Sequence, residues 1–142
     1  MKILLKTTAL LYVLIITIAS VKAQDNIKEH KVVIQLNSAD TAVWNSTIGN
    51  IKNLQKIWPD QLKIEVVIHG KALGFALKEK THVESELKAL MSGNLRFIAC
   101  ENTMKKQAVT KDMLVSGIET VPSGVAEIIL KQELGWAYLK SN

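Results

Sequence analysis

"KVVIQLNSADTAVWNSTIGNIKNLQKIWPDQLKIEVVIHG", residues 31–70, sets two β-branched apolar runs around a stretch of helical period. The runs "KVVIQLN" (31–37) and "LKIEVVIHG" (62–70) are apolar nearly throughout, as strands covered on both faces are. Between them Val43, Trp44, Ile48, Ile51, Leu54 and Ile57 recur every three to four residues, Asp40 or Thr41 is placed to cap a helix, and Trp58-Pro59 stops it. A strand, a helix and a strand of this kind form a parallel pair, because parallel neighbours need a crossover.

The same alternation continues outward. "KALGFALKE" (71–79) reads as a short apolar helical turn; Val83, Leu87, Leu90 and Met91 share a helix face that Ser92-Gly93 ends; "LRFIAC" (95–100) is a third strand. "ENTMKKQAVTKDML" (101–114) reads as loop and short helical turns, "IETV" (118–121) as a fourth strand, and Pro122-Ser123-Gly124 as the entry to a last helix with a Glu127–Lys131 pair. "WAYL" (136–139) is placed as a final edge strand. The expected class is α/β: a single compact domain, mostly parallel sheet of four to five strands with helices on both faces.

Ahead of this domain, residues 1–23 have the layout of a secretory signal peptide. Lys2 and Lys6 give a positive start, Thr7 to Ile18 an apolar stretch, and Val21-Lys22-Ala23 a small-x-small cleavage site, so the mature domain is expected to span residues 24–142. The apolar stretch is short of the roughly 20 residues a spanning helix needs, so no membrane association is expected after cleavage, and no cysteine stands at the cleavage point to carry a lipid. A periplasmic or secreted location follows. Cleavage also removes three lysines and no acid, leaving 15 basic against 13 acidic residues, a balance of +2. Such a charge, scattered along the chain, is no footprint for nucleic acid.

An exported chain usually pairs its cysteines, yet Cys100 is alone. It ends the third strand, and in open parallel sheets ligands bind beyond the carboxyl ends of the strands. Four such ends are expected: Asn37-Ser38, His69-Gly70, Cys100-Glu101 and Val121-Pro122. A thiol there becomes nucleophilic as thiolate, which helix-start amides and nearby cations favour. Asn102 and Thr103 are good capping residues and Lys105 and Lys106 lie one turn on, whereas Glu101 sets a negative charge next door. Composition and position leave two readings standing, a working thiol or a small apolar residue continuing "FIA".

His69 offers the same choice between acid–base or donor chemistry and a plain strand end. His30 and His82 share no ligand spacing with it, so no metal site is expected, and neither phosphate-binding glycine loops nor a serine hydrolase elbow is present. No cofactor is implied. Asn45-Ser46-Thr47 matches a glycosylation acceptor but falls inside the first helix and reads as coincidence.

Taken together, "VVIQLN" with the following Trp44-Asn45, "IEVVIHG", "ACENTM" around Cys100, "VPSGVAEI" and "GWAYLK" resemble the DsrE/DsrF-like family of small sulfur-handling proteins, particularly its exported branch. The likeness runs through nearly the whole mature domain. It implies a compact sheet flanked by helices, assembled as a homo-oligomer (trimer or hexamer), with a loop cysteine that carries sulfane sulfur as a persulfide and passes it to a thiol-bearing protein partner. The matching position is Cys100; Asn102 and Thr103 would shape the site. Two other functions compete: a small-molecule-binding module whose pocket is the edge formed by Asn37, His69, Gly70, Cys100, Asn102, Thr103 and Ser123, and a structural homo-oligomer using exposed positions near Trp136 and Tyr138.

Overall fold

The computed structural model describes residues 29–142; the expected signal peptide and cleavage site lie outside the described residues. Five strands, β1 (His30–Leu36), β2 (Leu62–Ile68), β3 (Leu95–Cys100), β4 (Glu119–Val121) and β5 (Ala137–Lys140), form one sheet in the order β4-β3-β2-β1-β5, and every pairing is parallel. The helices are α1 (Thr41–Ile57), α2 (Glu84–Leu90), α3 (Glu101–Lys106) and α4 (Gly124–Glu133), with 3-10 segments at Gly70–Ala76 and Lys111–Met113.

Strand order and the right-handedness of parallel crossovers together decide which face each helix covers. Strands β1 to β4 are laid down in one direction, so the connections between them fall on the same face. There Trp44, Ile48 and Ile51 of α1, Leu73 and Phe75, Leu87 of α2 and Met104 of α3 pack on Ile34, Ile64, Val66 and Phe97. The connection from β4 runs back across the sheet to set β5 beside β1, and it lands α4 on the opposite face, where Ile128 and Trp136 pack on Val33 and Val67. One face therefore carries a thick core, and the other a single helix.

Local chemistry explains the ends. Asp40 caps α1, its carboxylate accepting the Ala42 N–H at 2.8 Å, and Trp44 Nε1 donates to the Ser38 carbonyl at 2.8 Å, pinning the β1–α1 turn. His30 stacks on Trp58 with ring centroids 4.0 Å apart and His82 stacks on Trp44, so both histidines serve packing. The Asn45 side chain meets His82 at 2.8 Å, which engages the glycosylation-like asparagine inside the fold.

Three details differ from the sequence reading. An α-helix begins at Glu101 with no intervening loop, because Cys100 already stands in the capping position. Strand β5 starts one residue later than expected. Trp136 is half-buried against Val33, Val67 and Ile128 and lies under the Lys131 ammonium, so the edge near it offers Tyr138 and Leu139 as its exposed large side chains. Among the described residues, no helix is long and apolar enough to cross a membrane.

Candidate functional site: a thiol at the sheet's switch point

The connection after β3 leaves toward one face and the connection after β4 toward the other. A crevice opens where neighbouring strands diverge in this way, outside their carboxyl ends. Cys100 is the last residue of β3 and Gly124 the first of α4, so this thiol lies at that switch point. The Asn102 N–H reaches across the divide to the Pro122 carbonyl at 3.3 Å.

Strand alternation turns Cys100, and His69 beyond β2, toward the α4 face. The β2–β3 register pairs Ile68 with Ala99, so His69 and Cys100 follow side by side. Gly124 lies directly over both: a Cβ built on it would stand 3.0 Å from Val67 Cγ1, 3.2 Å from Cys100 Cβ and 3.4 Å from His69 Cβ. Only glycine lets the α4 start come this close.

That approach determines the thiol's chemistry. Cys100 is 6% exposed, and burial pushes its pKa up. The Gly124 N–H, the Thr103 N–H and hydroxyl, and the Asn102 N–H together outweigh burial, so the thiol sits below its ordinary value. These donors come from the starts of two helices. The Thr103 hydroxyl also accepts the Gly70 N–H at 3.0 Å, and Gln107 Nε2 donates to the Gly70 carbonyl at 2.9 Å. Gly70, at φ +59°, takes a backbone conformation that side chains disfavour, and both its polar groups are held by α3 and its C-terminal cap.

Glu101 does not oppose the thiolate as its position in the sequence suggested. Its carboxylate accepts the Thr120 hydroxyl at 2.7 Å and pairs with Lys111 at 3.4 Å, and these partners hold its pKa below the usual range. Backbone amides, rather than Lys105 and Lys106, stabilise the sulfur.

Of the residues singled out from the sequence, the structure gathers His69, Gly70, Asn102 and Thr103 around Cys100. Ser123 contributes as the cap of α4, its hydroxyl accepting the Ala126 N–H at 3.4 Å. Asn37 lies at the same edge but one strand beyond His69, away from the sulfur. The edge set does not line the larger described cleft, about 440 Å³, which lies among Leu77, Lys80, Gln107, Val109 and Met113.

Sequence reasoning missed two residues. Gly124 was legible only as part of a helix entry. Gln35, the one polar side chain between Val32 and Leu36, carries its Nε2 2.8 Å from His69 Nε2, and its Oε1 accepts the Tyr138 hydroxyl. Burial lowers the His69 pKa.

The five-stranded parallel sheet with its flanking helices has counterparts among solved structures. A model of the DsrE/DsrF-like family matches residues 14–141. The chain belongs to the DsrE/DsrF-like family. Its fold is that of a protein of unknown function from Methanobacterium thermoautotrophicum, 28% identical, with a TM-score of 0.75 over 79% of this chain and 99% of that one. The ychN protein of E. coli (18% identity, TM-score 0.63, 78% and 98% of the two chains) and a conserved protein of unknown function from Bacteroides thetaiotaomicron (16%, 0.61, 78% and 93%) share the DsrE-like sheet. No protein of curated function matches the sequence.

Proposed function

We propose that this DsrE/DsrF-like protein is an exported sulfane-sulfur carrier that holds sulfur on Cys100 as a persulfide. The observation that carries the reading is the cradle of N–H donors from Asn102, Thr103 and Gly124, which favours thiolate on a buried sulfur at the sheet's switch point. In the loading step the Cys100 thiolate attacks the outer sulfur of a donor R–S–SH. A new S–S bond forms at Cys100, the donor's S–S bond breaks, and its electron pair leaves with R–S⁻. The product is Cys100–S–SH, and no net oxidation occurs. Release reverses the roles, an acceptor thiolate attacking the outer sulfur and Cys100 leaving as thiolate. The same N–H groups that favour attack favour that departure.

The leader-like residues 1–23 support an extracytoplasmic setting in which the acceptor is a thiol-bearing protein. Self-association into a trimer or hexamer is the companion proposal. Val125, Ile129 and Leu130 on α4 and Leu134 at its C-terminal cap are exposed apolar side chains on the thinly covered side of the sheet, and an apolar face of this kind marks an interaction surface.

The test is the alkylation rate of Cys100 in the folded protein across pH, followed by intact mass after incubation with polysulfide. A rate that stays high well below the free-thiol pKa of about 8.5, with stable gain of one sulfur atom, supports the carrier. A thiol that reacts only after unfolding rules it out.

A further inference from the structure

Persulfide sulfur extends beyond the cysteine Sγ by one S–S bond, about 2.05 Å. The donors from Asn102, Thr103 and Gly124 are directed at Sγ itself, so the outer sulfur, where negative charge resides in Cys–S–S⁻, needs a donor of its own. Side by side with Cys100 stands His69, whose ring is fixed by a hydrogen-bonded row that runs across three strands.

The row determines the ring's hydrogen. The Tyr138 hydroxyl donates to Gln35 Oε1, which leaves the Gln35 NH₂ as the group facing His69 Nε2 at 2.8 Å. Two N–H groups do not point at one another, so Nε2 offers a bare lone pair and a neutral imidazole carries its hydrogen on Nδ1. Imidazolium, protonated at both nitrogens, breaks this arrangement. Gln35 belongs to β1, on the side of β2 opposite to β3. The two imidazole nitrogens leave the ring along widely divergent directions, so with Nε2 engaged toward β1 the Nδ1–H is on the ring edge turned from it. That is the side on which Cys100 stands. Besides His69, the ionisable side chains on this face of the strand ends are Cys100, Tyr138 and Lys140, the last paired in register with Gln35, and the α4 start that faces them supplies uncharged Ser123 and Gly124.

We propose that Gln35 and Tyr138 are positioning residues that hold His69 as the neutral Nδ1–H tautomer, and that this N–H is the hydrogen-bond donor to the outer sulfur of the Cys100 persulfide. The inference rests on the carrier reading of Cys100. His69 then stabilises the persulfide anion without transferring a proton to it, and no proton shuttle through histidine is involved.

The experiment has two arms. Nitrogen-15 NMR of histidine-labelled folded protein reads the tautomer with no sulfur chemistry. His69 is expected with Nδ1 protonated, Nε2 bare and a titration midpoint below the ordinary value of about 6.5. In Tyr138→Phe, where Gln35 is free to turn, the tautomers mix and the midpoint rises. An Nε2–H tautomer in the parent protein, or no change in Tyr138→Phe, overturns the positioning role. The second arm measures persulfide yield and lifetime after polysulfide. In His69→Asn the side-chain amide nitrogen stands as many bonds from Cβ as Nδ1, and persulfide survives. In His69→Gln, whose nitrogen matches Nε2, and in His69→Ala, lifetime falls roughly tenfold or more, as loss of a hydrogen bond to a charged group implies. Equal lifetimes in His69→Ala and the parent overturn the donor role. If the parent takes up no sulfur, the carrier reading and the donor role fall together, and the NMR result stands by itself.

Discussion

The backbone of Gly124 and the side chain of Cys100 meet so closely that a single added methyl group at position 124 would stand 3.2 Å from the cysteine Cβ and 3.0 Å from Val67. The start of α4 is thereby held against the sulfur, and its first N–H becomes part of the thiol's surroundings.

Gly124→Ala should raise the thiol pKa. The added carbon forces α4 away from β2 and β3, which withdraws the Gly124 amide donor and leaves burial less opposed. The measurement is the pH dependence of alkylation, with circular dichroism to show that the fold persists. An unchanged profile in a folded variant would show that the Gly124 N–H contributes nothing.

Thr103→Val keeps the shape of the side chain and removes its hydroxyl. The thiol loses one donor and the Gly70 N–H loses its acceptor. The expected result is a higher thiol pKa together with a stability loss of about 1–3 kcal/mol, the cost of leaving a half-buried donor unmet. Denaturant unfolding and the alkylation profile report the two effects separately.

Lys131 secures α4 from below. Its ammonium lies 2.8 Å from Glu65, a carboxylate 1% exposed in the middle of β2, and 3.3 Å from Glu127. Burial raises the Glu65 pKa, with Lys131 opposing and Glu127 assisting. A carboxyl whose folded pKa is raised contributes stability that is full below its unfolded value of about 4.3 and is lost as pH rises through the folded value. Lys131→Met takes away the opposing charge and leaves Glu65 alone. It should cost about 3–5 kcal/mol at neutral pH and much less in mild acid, where Glu65 is protonated. Glu65→Leu combined with Lys131→Met should recover most of the loss. A Lys131→Met penalty that is flat across pH would contradict this account.

Leu130→Glu and Leu134→Lys place charges on the exposed apolar face of α4, where Leu134 is 70% exposed. If self-association uses this face, sedimentation should show monomers with an unchanged circular dichroism spectrum. Parent protein that sediments as a monomer would refute the interface.

The fold was legible because its signals are local. Apolar runs, helical periods, Asp40 and Pro59 each act within a few residues, and the five strands appear close to where the pattern put them. Cys100 was legible as a strand end for the same reason. What surrounds it was not, because the decisive partners are distant in sequence. Tyr138 reaches Gln35 across 103 positions, and Gly124 meets His69 through a crossover that no spacing encodes. Two weak signals existed: Gln35 and Glu65 are polar interruptions in buried strands, and a polar residue in such a place has to answer to something. Lys105 and Lys106 were natural suspects by proximity, but the nearer backbone amides do the stabilising.

Because α4 is contributed by the one connection that runs back across the sheet, the thiol's surroundings are completed last. A chain synthesised only as far as β3 and α3 already contains Cys100 and the amides of Asn102 and Thr103. It lacks the amide of Gly124, the cover of α4 and the Tyr138 hydroxyl that orients Gln35. Until residues 119–140 have docked, the surroundings that set the Cys100 pKa are incomplete, and the full set of donors belongs only to the folded chain.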